Sequence, residues 1–178
     1  MHKNIEKVLF TEKEIENIVN SLAKEIEKDY NGREFIMIGL LKGSIAFMTD
    51  LMRKVNLDFP IDFIAASSYG SGTESTGRVN ILKDVSMSVE GKDILIVEDI
   101  VDSGNTLEFI STYFMAKKAT SVEICTLFDK PERRVTNIKP KYVGSRVPNE
   151  FIVGYGLDYD EMYRNLPYIG VLKPSVYS

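Results

Sequence analysis

The sequence is poor in the side chains that build most metal and nucleophile sites, because it contains one cysteine, Cys125, and one histidine, His2. A single cysteine cannot form an intrachain disulfide, and these two residues together cannot make a zinc site. A Ser-His-Asp or Cys-His mechanism is also disfavoured, since His2 lies at a terminus that we expect to fray. Any bound metal must therefore use carboxylates, which favours a hard cation such as Mg²⁺.

Long apolar runs and nucleotide-binding glycine motifs are missing as well. No apolar stretch approaches the roughly 20 residues that span a bilayer, and residues 1–7 lack a signal-peptide core, so we predict a cytoplasmic protein. Neither Gly-x-Gly-x-x-Gly nor the P-loop motif occurs, so no dinucleotide or P-loop site is indicated. A net charge of −4 argues against a broad nucleic-acid-binding surface, because such domains are usually basic.

The 178 residues suggest one domain, and their hydrophobic patterns alternate between strand and helix. Residues 11–30 form one amphipathic stripe that begins with a capping box at Thr11 and Glu14 and stops before Gly32. Apolar runs typical of buried parallel strands alternate with further amphipathic segments. We predict strands at 34–41, 61–67, 93–97, 121–128 and 142–147, and helices at 44–55 and 106–116.

This alternation predicts a single-domain α/β fold with a mainly parallel, twisted sheet flanked by helices. Cys125 lies inside one of the apolar runs, so we expect a buried core thiol rather than a nucleophile. The chain from about Lys130 onward is richer in proline, glycine and tyrosine, and we expect it to form a small additional lobe. The glycine-rich polar segment 67–78 is expected to be an exposed, mobile loop.

Residues 97–106 hold the clearest chemical signal in the sequence. A buried strand ends in Glu98 and Asp99, at the edge of a parallel sheet where ligands bind, and these carboxylates can bind ribose hydroxyls or Mg²⁺. Asp102 follows, placed to act as a general base, and precedes a turn made of Ser103, Gly104, Asn105 and Thr106. The backbone N–H groups, hydroxyls and helix N-terminus of that turn attract phosphate. The segment therefore describes a ribose 5-phosphate site.

A purely structural explanation exists for each of these residues. Asp102 or Ser103 could cap the helix, and Glu98 with Asp99 could be a solvated strand end. That explanation accounts for any one residue, but not for two acids, a base and a phosphate-binding turn within nine residues. The combination favours the ribose 5-phosphate site.

The same segment resembles the motif with which type I phosphoribosyltransferases bind phosphoribosyl pyrophosphate (PRPP): apolar residues, two acids, two apolar residues, Asp, Ser/Thr, Gly, any residue, Thr. The resemblance covers most of the chain and is closest to the hypoxanthine-guanine branch of the family. Further family segments are matched by Leu41-Lys42-Gly43-Ser44 (pyrophosphate loop), Ser68-Tyr69 (start of the flexible lid), Phe128-Asp129-Lys130 (purine-contacting lysine), residues 151–159 (hood) and Arg164.

The resemblance implies a type I phosphoribosyltransferase fold, with a lid near residues 67–78 and a small hood subdomain at about 130–178. Glu98 and Asp99 would hold the ribose hydroxyls and a Mg²⁺ ion. The loop from Asp102 to Thr106 would hold the 5-phosphate.

On the pyrophosphate side, the resemblance implies contacts from Lys42, Gly43 and Arg164. In the family a non-proline cis peptide lies at this loop, at the positions of Leu41 and Lys42. Asp158 would belong to the base site and bind a second Mg²⁺. Cations and a metal ligand would therefore surround the leaving group.

The base site follows partly from side-chain chemistry. Lys130 offers three donors and no acceptor, so it can donate to a 6-oxo group but would face the amino group of adenine donor against donor. Phe151 could stack on a purine, and the Ile152 backbone could contact its pyrimidine edge. Taken alone, Lys130 could be a solvated loop residue and Phe151 a core aromatic, but the surrounding hood match favours a purine site.

The resemblance predicts Mg²⁺-dependent transfer of the phosphoribosyl group of PRPP to hypoxanthine or guanine, with xanthine left open. The products would be IMP or GMP and pyrophosphate, and the family leads us to expect a homodimer or homotetramer. Two alternatives remain: a transferase of the same fold for another base (adenine, xanthine, uracil or orotate) and a nucleotide-sensing, RNA-binding attenuation regulator. The net charge of −4 weighs against the regulator.

Overall fold

The computed structural model describes residues 1–68 and 79–177, and of Ser68 only the backbone. The predicted lid, including Tyr69 and the Ser68 side chain, therefore lies largely outside the described residues. In chain order the elements are β1 (Ile5–Phe10), α1 (Glu12–Tyr30), β2 (Phe35–Leu41), α2 (Ile45–Lys54), β3 (Ile61–Ser68), β4 (Val79–Lys83), β5 (Asp93–Val101), α3 (Asn105–Ala116), β6 (Ser121–Asp129), a 3-10 turn (Pro131–Arg133), β7 (Tyr142–Arg146), β8 (Ile152–Val153), β9 (Ile169–Leu172) and α4 (Pro174–Tyr177). No helix within these described ranges is long and apolar enough to cross a bilayer.

The described strands form a large sheet and a small one. The large sheet has the order β4-β3-β2-β5-β6-β7, and its neighbouring strands are parallel except for the antiparallel edge pair β4-β3. This confirms the predicted α/β fold with a mainly parallel sheet. The chain continues from β2 to one neighbour, β3, and later returns to the other side as β5. Such a change of direction opens a crevice at the carboxyl ends of the strands.

Two hydrophobic cores cover the two faces of the large sheet, as the alternation of side chains along β5 shows. Leu95 and Val97 belong to the core formed with α1 and α2, whereas Ile94 and Ile96 belong to the core formed with α3. Cys125 is buried in the first core, and burial raises the pKa of its thiol. The expected structural role of this cysteine is confirmed.

Helix α1 begins where the sequence predicts. The Glu14 N–H donates to Thr11 Oγ1 at 3.3 Å, and the Thr11 N–H donates to Glu14 Oε2 at 2.8 Å, which completes the capping box. The helix ends at Tyr30, and Gly32 then adopts φ +75°, a left-handed conformation that glycine tolerates without strain.

Strand β5 is longer than the hydrophobic pattern predicts, and it includes both acids. The pattern ends at Val97, whereas pairing with β6 continues to Val101 opposite Asp129. Glu98 and Asp99 are therefore part of the strand rather than residues that follow it. Parallel pairing satisfies the backbone groups of this segment, which outweighs the low strand preference of acidic side chains.

The small sheet, with order β1-β9-β8, is antiparallel and takes strands from both ends of the chain. Strand β1 was not among the predicted strands, because its apolar residues do not alternate regularly. The expectation that the N-terminus frays is wrong. The His2 N–H donates to Tyr168 Oη at 2.8 Å, and the His2 ring packs edge-on against Tyr163, so tertiary contacts order the terminus.

We expect Phe114→Ala to lower the free energy of unfolding by about 3–5 kcal/mol, because it empties a fully buried site between α3 and the sheet. Phe109→Ala on the same helix is the control, since Phe109 is 38% exposed and should cost much less. Urea denaturation followed by circular dichroism measures both variants. Equal losses would show that Phe114 does not anchor α3 to the sheet.

Candidate active site

Two adjacent carboxylates lie near the carboxyl end of β5. Glu98 and Asp99 are 7% and 8% exposed. The Asp99 N–H donates to Glu98 Oε1 at 3.0 Å, and the Ile100 N–H donates to Asp99 Oδ1 at 2.7 Å. Burial raises the pKa of both carboxyl groups, and repulsion from Asp99 adds to the rise at Glu98. Hydroxyl donors or a cation would stabilise the ionised form of the pair, because they oppose the effect of burial.

The residues fit a hard cation that keeps part of its coordination for other ligands. Among the residues that the structure describes, no group of three or more His, Cys, Asp and Glu side chains could hold a metal ion. Glu98 and Asp99 nevertheless present carboxylate oxygens, which Mg²⁺ prefers, and Mg²⁺ usually binds through one or two carboxylates together with water and substrate phosphates. The acid pair therefore suits a cation that arrives with a phosphorylated ligand.

The turn after β5 forms a small cradle at the start of α3. A cavity of about 240 Å³ is lined there by Glu98, Asp99, Asp102, Ser103, Gly104 and Thr106, among others. Gly104 adopts φ +88°, and a Cβ atom at this position would lie 2.3 Å from Thr136 Oγ1, so conformation and space both require glycine. The Asn105 N–H donates to Ser103 Oγ at 3.4 Å at the first residue of α3. A helix N-terminus beside a hydroxyl-rich turn suits a phosphate group.

The loop after β2 closes the same cavity from the other side. Its Leu41–Lys42 peptide is cis, as the family resemblance implies. A Cβ atom on Gly43 would lie 1.8 Å from Asp99 Oδ2, so this loop passes directly against the acid pair. A Cβ atom on Gly156 would lie 2.0 Å from the Gly43 carbonyl oxygen, so the turn at Gly156 packs against the loop in turn. A side chain at Gly43 would strike the Asp99 carboxylate and one at Gly156 would strike the Gly43 backbone, so neither position has room for a side chain.

The cations predicted for pyrophosphate meet beside this loop. Arg164 Nη1 donates to the Gly156 carbonyl at 2.7 Å, and Arg164 Nη2 lies 3.0 Å from Asp158 Oδ1. Glu161, which the sequence did not single out, places Oε2 3.0 Å from Lys42 Nζ and 3.2 Å from Arg164 Nη2. The structure thus brings Lys42, Asp158 and Arg164 together, as predicted, and adds a second acid.

A second cavity, of about 500 Å³, opens beside the first. Its lining includes the predicted purine-contacting residues Lys130, Phe151, Ile152 and Asp158. Lys130 Nζ donates to the Glu150 carbonyl at 2.8 Å, and burial lowers the pKa of the ammonium group. The Phe151 ring stacks on Tyr177 with ring centroids 4.9 Å apart. Asp102 lines both cavities, so it lies where their contents would meet.

A larger cavity, of about 910 Å³, lies away from these residues. It is lined by Phe35, Pro60 and Ile61 among others, at the amino ends of β2 and β3. Open parallel sheets bind ligands at the carboxyl ends of their strands, and this cavity has no turn comparable to residues 102–106. The size of a cavity alone does not identify the functional site. The candidate site is formed by the two smaller cavities described above.

Sequence reasoning missed two arginines in the segment after β6. Arg134 forms a largely buried ion pair with Asp129 and donates from Nε to the Asp102 carbonyl at 3.1 Å, so it holds the backbone of the turn at residues 102–106. Arg133 places Nε 2.7 Å from Asp102 Oδ1 at a much more exposed position. The only signal in the sequence is a short run of charge, which is usually solvated.

Comparison of the sequence with known protein families is consistent with this site geometry. The sequence matches the family described as "Phosphoribosyl transferase domain" over residues 7–160. Together with the parallel sheet, the acid pair and the phosphate-binding turn, this match shows that the chain belongs to the phosphoribosyltransferase family.

Individual relatives narrow the class further. The hypoxanthine-guanine phosphoribosyltransferase of Staphylococcus aureus (strain Mu50 / ATCC 700699) is 52% identical over 178 residues, which cover 100% of this chain and 99% of the relative. A crystal structure of a hypoxanthine phosphoribosyltransferase from S. aureus has a TM-score of 0.96 at 52% identity, covering 100% of this chain and 97% of that one. A hypoxanthine-guanine phosphoribosyltransferase from Bacillus anthracis gives a TM-score of 0.91 at 47% identity, covering 95% and 99%.

Arg134→Met should destabilise the protein by about 3–5 kcal/mol, because it leaves the buried Asp129 carboxylate unpaired. Adding Asp129→Asn should recover part of this loss. The control is Arg133→Met, whose ion pair is much more exposed and should cost less than about 1 kcal/mol. Chemical denaturation of the unmodified chain, Arg134→Met, Asp129→Asn, Arg133→Met and the double variant measures these differences, and additive losses in the double variant would contradict the pairing.

Proposed function

We propose that this protein transfers the 5-phosphoribosyl group of PRPP to hypoxanthine or guanine, giving IMP or GMP and pyrophosphate in a Mg²⁺-dependent reaction. The observation that carries the proposal is the position of Asp102 between an acid-lined phosphate cradle and a pocket with a lysine donor. The 52% identity over the full length of an S. aureus hypoxanthine-guanine phosphoribosyltransferase supports this choice of bases.

The first cavity is the proposed PRPP site. The turn of Ser103, Gly104, Asn105 and Thr106 would bind the 5-phosphate, since it offers backbone donors, hydroxyls and the start of α3. Glu98 and Asp99 would accept hydrogen bonds from the ribose hydroxyls. Lys42, the Gly43 backbone and Arg164 would hold the pyrophosphate. Gly43 lines the cavity, Lys42 precedes it in the same loop, and Arg164 donates to the carbonyl of Gly156, which packs on that loop.

The second cavity is the proposed base site. Lys130 can only donate, so it favours the 6-oxo group of hypoxanthine or guanine over the 6-amino group of adenine. Phe151 would stack on the purine ring, although its present partner Tyr177 would have to yield one face. The Ile152 backbone would contact the pyrimidine edge. Burial lowers the pKa of Lys130, so a 6-oxo acceptor would also relieve a partly desolvated ammonium group.

The reaction follows from the meeting of the two cavities. The bond from C1′ of the ribose to the pyrophosphate oxygen breaks as purine N9 bonds to C1′, and the N7 proton passes to the Asp102 carboxylate. Lys42 and Arg164 would stabilise the negative charge that develops on the departing pyrophosphate. Arg133, 2.7 Å from Asp102 Oδ1, would have to release that oxygen before the base is engaged.

The acid pair and Asp158 are the proposed Mg²⁺ ligands. Glu98 and Asp99 would hold one ion, and Asp158 would hold a second. When bound, Mg²⁺ supplies positive charge that offsets the charge of pyrophosphate. Arg164 Nη2 lies 3.0 Å from Asp158 Oδ1, so this arginine would have to share Asp158 with the ion.

Several sequence expectations stay predictions. Ser68 and Tyr69 would begin a lid over 67–78 that excludes water during transfer. The chain would act as one domain with a hood from about residue 130. A homodimer or homotetramer in the cytoplasm would be the working form.

The first test is turnover with PRPP and Mg²⁺ and each of five bases: hypoxanthine, guanine, xanthine, adenine and uracil. We expect nucleotide formation with hypoxanthine and guanine, loss of turnover when a chelator removes Mg²⁺, and recovery when Mg²⁺ is restored. Turnover with adenine or uracil alone would refute the role of Lys130 but leave the PRPP site standing. If no base reacts, an RNA-binding assay tests the regulator alternative.

Asp102→Asn should lower kcat by roughly 10²–10⁴-fold, because the amide cannot accept the N7 proton. The KM for PRPP should change little, since the backbone of the phosphate-binding turn remains. Steady-state kinetics with hypoxanthine measures both constants, and thermal unfolding confirms that the variant is folded. Full turnover by the folded variant would rule out Asp102 as the base.

A further inference from the structure

One carboxylate oxygen joins the two cations assigned to pyrophosphate. Glu161 Oε2 lies 3.0 Å from Lys42 Nζ and 3.2 Å from Arg164 Nη2, and both cations form hydrogen bonds to it. Lys42 belongs to the loop after β2, whereas Arg164 and Glu161 belong to the segment between β8 and β9. A single oxyanion therefore bridges two elements that are far apart in sequence, as an oxygen of bound pyrophosphate would.

The backbone of Glu161 is held in place, whereas its side chain is exposed and, among the residues that the structure describes, is held only by its two ion pairs. The Glu161 N–H donates to Asp158 Oδ2 at 2.9 Å, and the residue sits in a tight turn with φ +63°. Its side chain is 62% exposed, so it can rotate into solvent without disturbing a core. Arg164, in contrast, would keep its bonds to Gly156 and Asp158 if Glu161 left. Glu161 is the exchangeable partner in this group.

The positive charges of Lys42 and Arg164 favour an anionic group between them, whether or not a ligand is bound. Glu161 is an exposed carboxylate beside two cations, so it is ionised at neutral pH. Without it, an ammonium and a guanidinium group would face each other with less compensation. Exposed ion pairs are individually weak, so a multiply charged ligand can displace this carboxylate.

We propose that Glu161 is an internal stand-in for pyrophosphate: it occupies Lys42 and Arg164 in the substrate-free protein and must leave when PRPP or pyrophosphate binds. This inference rests on the proposed function, because it takes these two cations as the pyrophosphate site. Glu161 keeps the two cations positioned between turnovers. It also competes with the leaving group and so favours its release.

The test is Glu161→Gln, which keeps the size of the side chain and removes its charge. Titration calorimetry with inorganic pyrophosphate in the presence of Mg²⁺ should show binding that is roughly two- to tenfold tighter than for the unmodified chain. The KM for PRPP should fall by a similar factor, while kcat should not rise. Asp160→Asn is the matched control, since it removes the same charge one residue away, from a side chain with no ion pair to Lys42 or Arg164.

The possible outcomes distinguish a failure of the Glu161 proposal from a failure of the proposed function. Unchanged or weaker pyrophosphate binding in Glu161→Gln would overturn the stand-in, and so would equal tightening in Asp160→Asn, which would reveal a general charge effect. Glu161→Asn is the second variant if Glu161→Gln unfolds, because asparagine tolerates positive φ and its shorter side chain leaves both cations. If the unmodified chain fails to bind pyrophosphate and turns over no base, the proposed function itself is wrong.

Discussion

Parallel pairing of β5 with β6 over their whole length is the constraint on which the site depends. The register continues to Val101 opposite Asp129, and the Lys130 N–H then donates to the Val101 carbonyl at 2.9 Å. Both strands therefore end side by side. The turn that carries Asp102 starts from one strand, and the segment that carries Lys130 starts from the other. A shorter pairing would separate the phosphate cradle from the base pocket.

A third segment, the loop at Gly43, packs closely against the site. The loop at Gly43 lies against the Asp99 carboxylate, and the turn at Gly156 lies against the Gly43 backbone, so three segments from different parts of the chain pack closely at positions where only glycine fits. This packing places the loop that carries Lys42 against the turn whose Gly156 carbonyl accepts a hydrogen bond from Arg164. Burying Glu98 and Asp99 costs free energy, which raises the pKa of each, and such costs concentrate at functional sites.

Two kinds of ion pair organise the site, and their burial distinguishes them. The pair of Arg134 with Asp129 is buried, and Arg134 also binds the Asp102 carbonyl, so it stabilises one fixed backbone arrangement. The pairs of Glu161 with Lys42 and Arg164 are more exposed, and such pairs are individually weak, which is what the proposed exchange with a ligand requires. Ion pairs therefore fix the turn at residues 102–106, and in the proposed mechanism they allow exchange at Glu161.

Local patterns in the sequence were sufficient for α1, α2 and α3, for five of the six strands of the large sheet and for the central motif. The amphipathic stripe and capping box of α1, the apolar runs of the parallel strands and the acids and turn at 98–106 each depend on neighbouring residues, and the structure has them close to the predicted bounds. Cys125 could also be assigned to the core from its apolar neighbours alone.

Only the tertiary structure revealed the features that depend on contacts between segments far apart in the sequence. The sequence determined by itself that the chain is α/β and carries a ribose 5-phosphate motif, because periodicity and turn chemistry are local. It could not show that β1 joins β9, that His2 is held by Tyr168 or that β5 extends through its acids. Nor could it show the partners of Arg134 and Glu161, since an ion pair forms only where packing brings two charges together.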